Sequence, residues 1–264
     1  MYKPKVSVIM GIYNCADTLQ EALDSLYAQT FQDFEIILCD DGSTDHTLDI
    51  AIQNRSSHKN IIVTRNETNL GLNKTLNHCL SFSKGEYIAR MDGDDISLPD
   101  RFRTEVEFLD SHPEYAIVSS PMEYFDENGI FRRGTGKGEV YPKDFLLGSP
   151  ICHAPCMVRR GAFDAVGGYS VSPRLIRVED YHLWFKMYAA GFKAYMLEKP
   201  YYQMRDDRYA AKRRTFRNRL NEFYVKWIGF GMIHLPFYYK VFAFKPIIVW
   251  LMPSVLYDKL HRAK

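Results

Sequence analysis

Near residue 90 the chain passes from a β-prone run straight into an acid cluster, Met91-Asp-Gly-Asp-Asp95. Carboxylates two residues apart in extended backbone point to the same side. One can hold a divalent cation while the other grips a neutral hydroxyl. An all-oxygen site of this kind suits Mg2+ or Mn2+, whose coordination substrate phosphates complete. A second acid pair, Glu179-Asp180, opens a predicted helix much later in the chain. Metal-holding acids plus a separate carboxylate base suit transfer of a group carried on a nucleoside diphosphate. Alone, Asp-Gly-Asp is also an ordinary acidic turn, so its surroundings decide.

Those surroundings alternate strand and helix. Strands are predicted at 6–10, 34–39, 61–64 and 87–91, and helices at 17–29, 44–53 and 72–82, with Asp17 and Gln20 placed as a capping box. Short connectors between alternating elements predict a parallel sheet flanked by helices. In open sheets of this class, ligands sit beyond the carboxyl ends of the strands. Three motifs follow predicted strand ends: Gly11-Ile-Tyr-Asn14, Asp40-Asp41 and Asp92-Gly-Asp94. They should converge on one rim. Further on, a helix is expected at 101–109, a strand at 116–119 and an amphipathic helix at 179–189. Gly134-Thr-Gly-Lys-Gly138 lacks the Gly-Lys-Ser/Thr helix entry of a phosphate loop, and reads as a hairpin or lid.

The chain has 264 residues, 46% of them hydrophobic and 14% aromatic, with a net charge of +2. That supports a sizeable core and gives no global field for nucleic acid. Five cysteines, none in a C-x-x-C pair, fit reduced thiols better than a disulfide framework. Cys152-His-Ala-Pro-Cys156 has no second ligand pair at zinc spacing. The N-terminus shows no signal-peptide apolar region, so a cytoplasmic location is expected.

In their order, these motifs resemble those of the family 2 glycosyltransferases with the GT-A fold. The matching stretches are Val6-Ser-Val-Ile-Met-Gly-Ile-Tyr-Asn14, Leu26-Tyr-Ala-Gln-Thr-Phe31, Phe34-Glu-Ile-Ile-Leu-Cys-Asp-Asp-Gly-Ser-Thr-Asp45 and Asn69-Leu-Gly71. Gly85-Glu-Tyr-Ile-Ala-Arg-Met-Asp-Gly-Asp-Asp95, Gly167-Gly-Tyr169 and Glu179-Asp-Tyr-His-Leu-Trp184 continue the pattern. The resemblance covers about residues 4–205.

It implies a Rossmann-like GT-A domain over 1–206, with a nucleotide half at 1–98 and an acceptor half at 99–206. It also implies inverting transfer from a nucleoside diphosphate sugar. Asp94 resembles the metal-binding acid, and Asp92 with Gly93 lies where ribose hydroxyls bind. Asp41 resembles the acid that accepts the uracil imide N–H, while Asp40 is structural. Tyr13 is placed to stack on the base, and the backbone of Gly11, Ile12 and Asn14 to pair with its edge. Gly71 allows close backbone approach. Asp180 resembles the catalytic base, with Glu179 as its alternative or as an orienting acid. Asp95 stays open between a supporting acid and a turn cap, and Arg90 between an internal ion pair and a phosphate partner. His153 and Trp184 are acceptor-side candidates, although helical spacing favours packing for Trp184. Arg205 is a candidate for holding the diphosphate.

Residues 207–264 change character. Lys212, Arg213, Arg214, Arg217 and Arg219 cluster, and aromatic and aliphatic residues follow, interrupted by Pro236, Pro246 and Pro253. The apolar pieces are shorter than the roughly 20 residues that span a bilayer. A helical extension lying on an anionic membrane surface is expected, with packing on the catalytic domain or a dimer interface as the competing readings. The implied partners are a nucleoside diphosphate sugar, with uridine favoured, and a glycan or lipid-linked glycan acceptor of cell-surface polysaccharide synthesis. The protein would work peripherally on the inner face of the cytoplasmic membrane. A polyprenyl-phosphate sugar synthase would scarcely need Asp180. A non-catalytic nucleotide-sugar binding module would need neither Asp94 nor Asp180. A sugar nucleotidyltransferase would need an N-terminal Gly/Arg/Lys-rich phosphate loop, which is missing.

Overall fold

The computed structural model of the chain describes residues 3–136, 138–206 and 215–251. The first half is the expected alternation: β1 (Val6–Ile12), α1 (Ala16–Tyr27), β2 (Phe34–Asp40), α2 (Thr47–Ser57), β3 (Ile61–Arg65), α3 (Leu72–Phe82) and β4 (Tyr87–Arg90). These four strands pair in parallel in the order β3-β2-β1-β4. The chain leaves β1 toward β2 and β3, then crosses back to β4 on its other side. That reversal makes the carboxyl ends of β1 and β4 a switch point, where a crevice opens in such sheets.

The second half extends the same sheet and adds a small one. It comprises β5 (Ile96–Ser97), α4 (Arg101–Ser111), β6 (Ile117–Ser119), β7 (Glu123–Asp126), β8 (Gly129–Arg133), β9 (Gly138–Val140), β10 (Met157–Arg159), α5 (Arg160–Val166), α6 (Glu179–Ala189), β11 (Ala194–Met196) and β12 (Tyr202–Arg205). Beyond β4 the main sheet turns mixed: β10 runs antiparallel to both β4 and β6, β11 is parallel to β6, and β9 closes the edge antiparallel to β11. The small sheet has the order β5-β12-β7-β8.

Strand alternation sorts the core into two layers. Val6, Val8, Met10 and Ile12 join Leu19, Leu23 and Leu26 of α1 and Phe102 of α4 on one face. Ile9, Ile37 and Ile88 join Leu76 of α3 and Leu183 and Trp184 of α6 on the other. A fully buried ion pair, Arg101 with Glu105, braces the middle: Arg101 also donates to the Arg90 carbonyl at 2.9 Å, fixing the end of β4 just before the acid cluster.

Two expectations are corrected. Asp17 and Gln20 form no capping box. Helix α1 begins after Cys15, and its first N–H groups are met from the following loop, Cys15 N–H by Thr47 Oγ1 at 2.8 Å and Ala16 N–H by Asp45 at 3.2 Å. Gln20 instead pairs with Asp24 and Asn54. Residues 134–136 and Gly138 are not a hairpin but belong to the passage from the small sheet to the edge of the main one. The hairpin lies earlier, between β7 and β8, with Gly129 at φ 105° in its turn.

Of the C-terminal segment, Lys212, Arg213, Arg214 and Pro253 lie outside the described residues. Helix α7 (Phe216–Met232) lies against α6, and its Val225 and Phe230 share that helix's core. Gly229 makes this approach possible, because a Cβ there would sit 2.2 Å from the Phe185 ring. A 3-10 stretch, Phe237–Phe244, and α8 (Lys245–Leu251) follow.

Candidate active site

The carboxyl ends of β1, β2 and β4 bring the motifs together as the sheet rule requires. Asp41 follows β2 and is buried; its Oδ1 accepts from Leu70 N–H at 2.9 Å and Asn66 Nδ2 at 2.8 Å, and its Oδ2 from Gly71 N–H at 2.9 Å. Gly71, at φ 88°, caps α3 in a conformation that other residues adopt only with strain. Gly11, Tyr13, Asp41, Gly71 and Glu179 line one cavity of about 480 Å3. Tyr13 is about half exposed. Asp40 is structural: it is buried, paired with Arg65 at 3.2 Å and accepts from Ser43 N–H.

Two members of the β1 motif act otherwise than expected. The Ile12 side chain is core and its carbonyl takes the Asp41 N–H at 2.9 Å. Asn14, at φ 48°, gives its N–H to Ser43 and accepts from Thr44 N–H. The Ile12 carbonyl, the Asn14 N–H and the Asn14 side-chain amide oxygen position the Asp41 loop, and neither residue lines the cavity.

After β4, Asp92, Asp94 and Asp95 bring carboxylate oxygens within 4.8 Å of one another. Asp94 is exposed, Asp92 half-buried and Asp95 buried. Gly93 lets this loop press on the start of α1: a Cβ there would meet the Cys15 Sγ at 2.8 Å, and Thr18 donates to the Gly93 carbonyl at 3.0 Å. Asp95 accepts Arg205 N–H through Oδ1 at 2.9 Å, while its buried Oδ2 has no hydrogen-bond partner among the described residues. Loss of water and then the charges of Asp92 and Asp94 push its carboxyl up to about 8. Three crowded acids with an orphaned buried oxygen fit a hard divalent cation. Asp92 N–H reaches the Tyr202 hydroxyl at 3.2 Å, and its carboxylate is paired with Arg90.

Arg90 is therefore the internal ion-pair partner. Arg205 is not free for a diphosphate: its guanidinium meets Glu21 and the Asp94 carbonyl at 3.0 Å, and lies over Phe125. The basic residue that does line the cavity is Arg177, at φ 70° just before α6. A lone arginine in a loop gave no sequence signal beyond its place two residues before Glu179.

Glu179 and Asp180 open α6, where acids are favoured by the helix dipole. Loss of water, then the Glu179 charge, push Asp180 up to about 6. His153 is held by the Tyr169 hydroxyl at 2.8 Å from its Nε2, and burial followed by nearby Arg90 keeps it well below its ordinary pKa. Trp184 is corrected: its indole is fully buried, edge-on to His153, and has no face to offer an acceptor.

A sequence model described as glycosyl transferase family 2 matches residues 7–167. The chain belongs to that family. Among its relatives is the putative glycosyltransferase EpsE of Bacillus subtilis, 39% identical over 99% of this chain and 94% of its own. Another is WfaP of Escherichia coli, named as a UDP-Glc:alpha-D-GlcNAc-diphosphoundecaprenol beta-1,3-glucosyltransferase, 30% identical over 72% of each chain. Of solved structures, S. aureus TarS 1-349 in complex with UDP-GlcNAc superposes with a TM-score of 0.71, at 23% identity over 92% of this chain and 70% of that one. The mannosyltransferase PcManGT of Pyrobaculum calidifontis, in complex with GDP-Man and Mn2+, gives 0.65 at 20% identity over 100% of this chain and 80% of that one. These likenesses confirm the fold: a mostly parallel sheet flanked by helices in a family 2 glycosyltransferase.

Proposed function

We propose that this glycosyltransferase moves a sugar, with inversion, from a uridine diphosphate sugar to a hydroxyl of a lipid-linked glycan in cell-surface polysaccharide synthesis. One observation carries the reading: a single cavity joins the base-side residues Tyr13, Asp41 and Gly71 to Glu179, the neighbour of the half-buried acid Asp180. A nucleotide at one end then places its sugar beside a carboxylate at the other.

Asp41 receives the uracil imide N–H, Tyr13 stacks on the base, and Asp92 meets ribose hydroxyls. Asp94, with Asp92 and Asp95 close by, is the acid that would hold Mg2+ or Mn2+. Such a cation, when bound, neutralises charge on the departing diphosphate. Asp180 takes the acceptor hydroxyl's proton as that oxygen bonds to the sugar's anomeric carbon. The bond from that carbon to the diphosphate breaks on the opposite face. A base poised near 6 is deprotonated at neutral pH yet basic enough to work.

The acceptor side is a second cavity of about 300 Å3, lined by Tyr124, Asp144, Ser149 and Cys152 among others. Burial and then the Asp180 charge push the Cys152 thiol up to about 11, so this wall stands near the base. The test is release of UDP from a panel of UDP-sugars with Mn2+. Addition of a prenyl-diphosphate-linked N-acetylglucosamine, the acceptor type in WfaP's name, should stimulate release and yield a product with inverted anomeric configuration. A retained configuration would contradict the single displacement.

Among the described residues no helix is long and apolar enough to cross a membrane. The segment after α7 nonetheless exposes Phe237, Tyr238, Val241, Ile248 and Leu251. Residues 233–251 carry Lys240 and Lys245 and no acid. Apolar side chains flanked by cations suit an anionic bilayer surface. Lys245 Nζ donates to the Leu147 carbonyl at 2.8 Å, and Leu147 lines the second cavity. The surface therefore adjoins the acceptor side. Binding to phosphatidylglycerol vesicles at low salt is expected, weakening with salt and in a Phe237→Glu, Lys240→Glu variant. Indifference to such vesicles in a sedimentation assay would leave the segment a packing element alone.

A further inference from the structure

Asp41 is held by more than its own loop. A carboxylate offers about four lone-pair positions. The N–H groups of Leu70, Gly71 and the Asn66 amide occupy three of them, leaving one on Oδ2 of a residue that lines the nucleotide cavity. The direction of the Asn66 amide follows from chemistry. An ionised carboxylate only accepts, so the amide nitrogen must face Asp41, with the Thr75 hydroxyl as its second contact at 3.1 Å. Asn66 Oδ1 then faces His78 Nδ1 at 2.9 Å, so that ring nitrogen must carry the proton. His78 Nε2 is left as an acceptor, with the Thr64 hydroxyl 3.4 Å away, and the Cys39 thiol lies 3.4 Å from Nδ1. Asn66 is buried. A turned amide would set its carbonyl against the Asp41 carboxylate with little water to relieve it.

We propose that His78 is a positioning residue for base recognition: its Nδ1–H fixes the Asn66 amide, which fixes Asp41 so that its last lone pair meets a base imide N–H. The inference rests on the reading of Asp41 as the base-recognising acid. UDP and CDP separate the two, because uracil presents an N–H where cytosine presents a lone pair. The same loop packing serves both nucleotides, so their affinity ratio reports the acceptor's aim and not the general fit.

Titrations of UDP and CDP into the protein with Mn2+ test it. His78→Leu should weaken UDP about tenfold, a loss of about 1.4 kcal/mol, while leaving CDP unchanged. His78→Asn, whose amide nitrogen falls near the place of Nδ1, should restore the preference. If His78→Leu binds neither nucleotide and melts early, His78→Gln carries the same test, since it stays polar but sets its nitrogen one atom too far out. A full preference for UDP in His78→Leu and His78→Gln, alongside its loss in Asp41→Asn, would overturn this inference alone. A full preference in Asp41→Asn would overturn the reading of Asp41 and the inference with it.

Discussion

Asp180→Asn is expected to lower sugar transfer by about 10²-fold or more, the usual scale for loss of a general base, while UDP affinity stays within about twofold. The asparagine keeps the shape and the place at the start of α6 but cannot take a proton. The pH dependence should change with it. Asp180 is raised to about 6 by its removal from water and by Glu179. The protonated form is inactive as a base. Turnover in the native enzyme should therefore be high above about 6 and fall as pH drops through that value. The variant's residual rate should lose that limb. Transfer assays from pH 5 to 8 beside UDP titrations measure both. A near-native rate in Asp180→Asn, with a large loss in Glu179→Gln, would move the base one residue back. Both acids sit at the helix entry, and only Glu179 lines the donor cavity.

Asp94→Ala should remove most of the gain in nucleoside diphosphate affinity that Mn2+ provides, and reduce turnover by about 10²-fold or more through lost charge stabilisation, an effect of several kcal/mol. The substitution is well suited to the question because Asp94 is the exposed member of the cluster. Asp92 is engaged with Arg90, and Asp95 anchors Arg205 N–H, so changes at either would disturb the loop as well as the site. Melting temperature should be unchanged or slightly higher, since one of three mutually repelling carboxylates is gone. Titration of UDP with and without Mn2+ against the variant is the measurement. Undiminished enhancement by Mn2+ would remove Asp94 from the metal site.

The sequence carried what local patterning can carry. Helices at 72–82 and 179–189 are found with the expected bounds, because apolar spacing and a burying partner face agree there. The convergence of Gly11, Asp41 and Asp92 at strand ends followed from alternation alone. What was not legible depended on contacts distant in the chain. The start of α1 looked self-capped by Asp17 and Gln20, yet its N–H groups are satisfied by Asp45 and Thr47 across a loop. Tertiary partners displaced the local pair. Gly134 to Gly138 looked like a turn because glycine is dense there, while the signal of the true hairpin was Asn128-Gly129, an Asn-Gly pair between short strands. Arg205 and Arg177 were indistinguishable as lone arginines; only the fold shows the first spent on the acid loop and the second on the cavity wall. Asn66 and His78 carry no motif at all.

The central claim is that Asp41 and the acid cluster build one metal-assisted uridine diphosphate site. Calorimetric titration of UDP, with GDP and CDP as competitors, into the native protein in Mn2+ and again in EDTA tests it most directly. The account predicts that UDP binds most tightly of the three in Mn2+, and loses at least about tenfold, about 1.4 kcal/mol, in EDTA. Equal UDP affinity in the two buffers, or a preference for GDP, would contradict it.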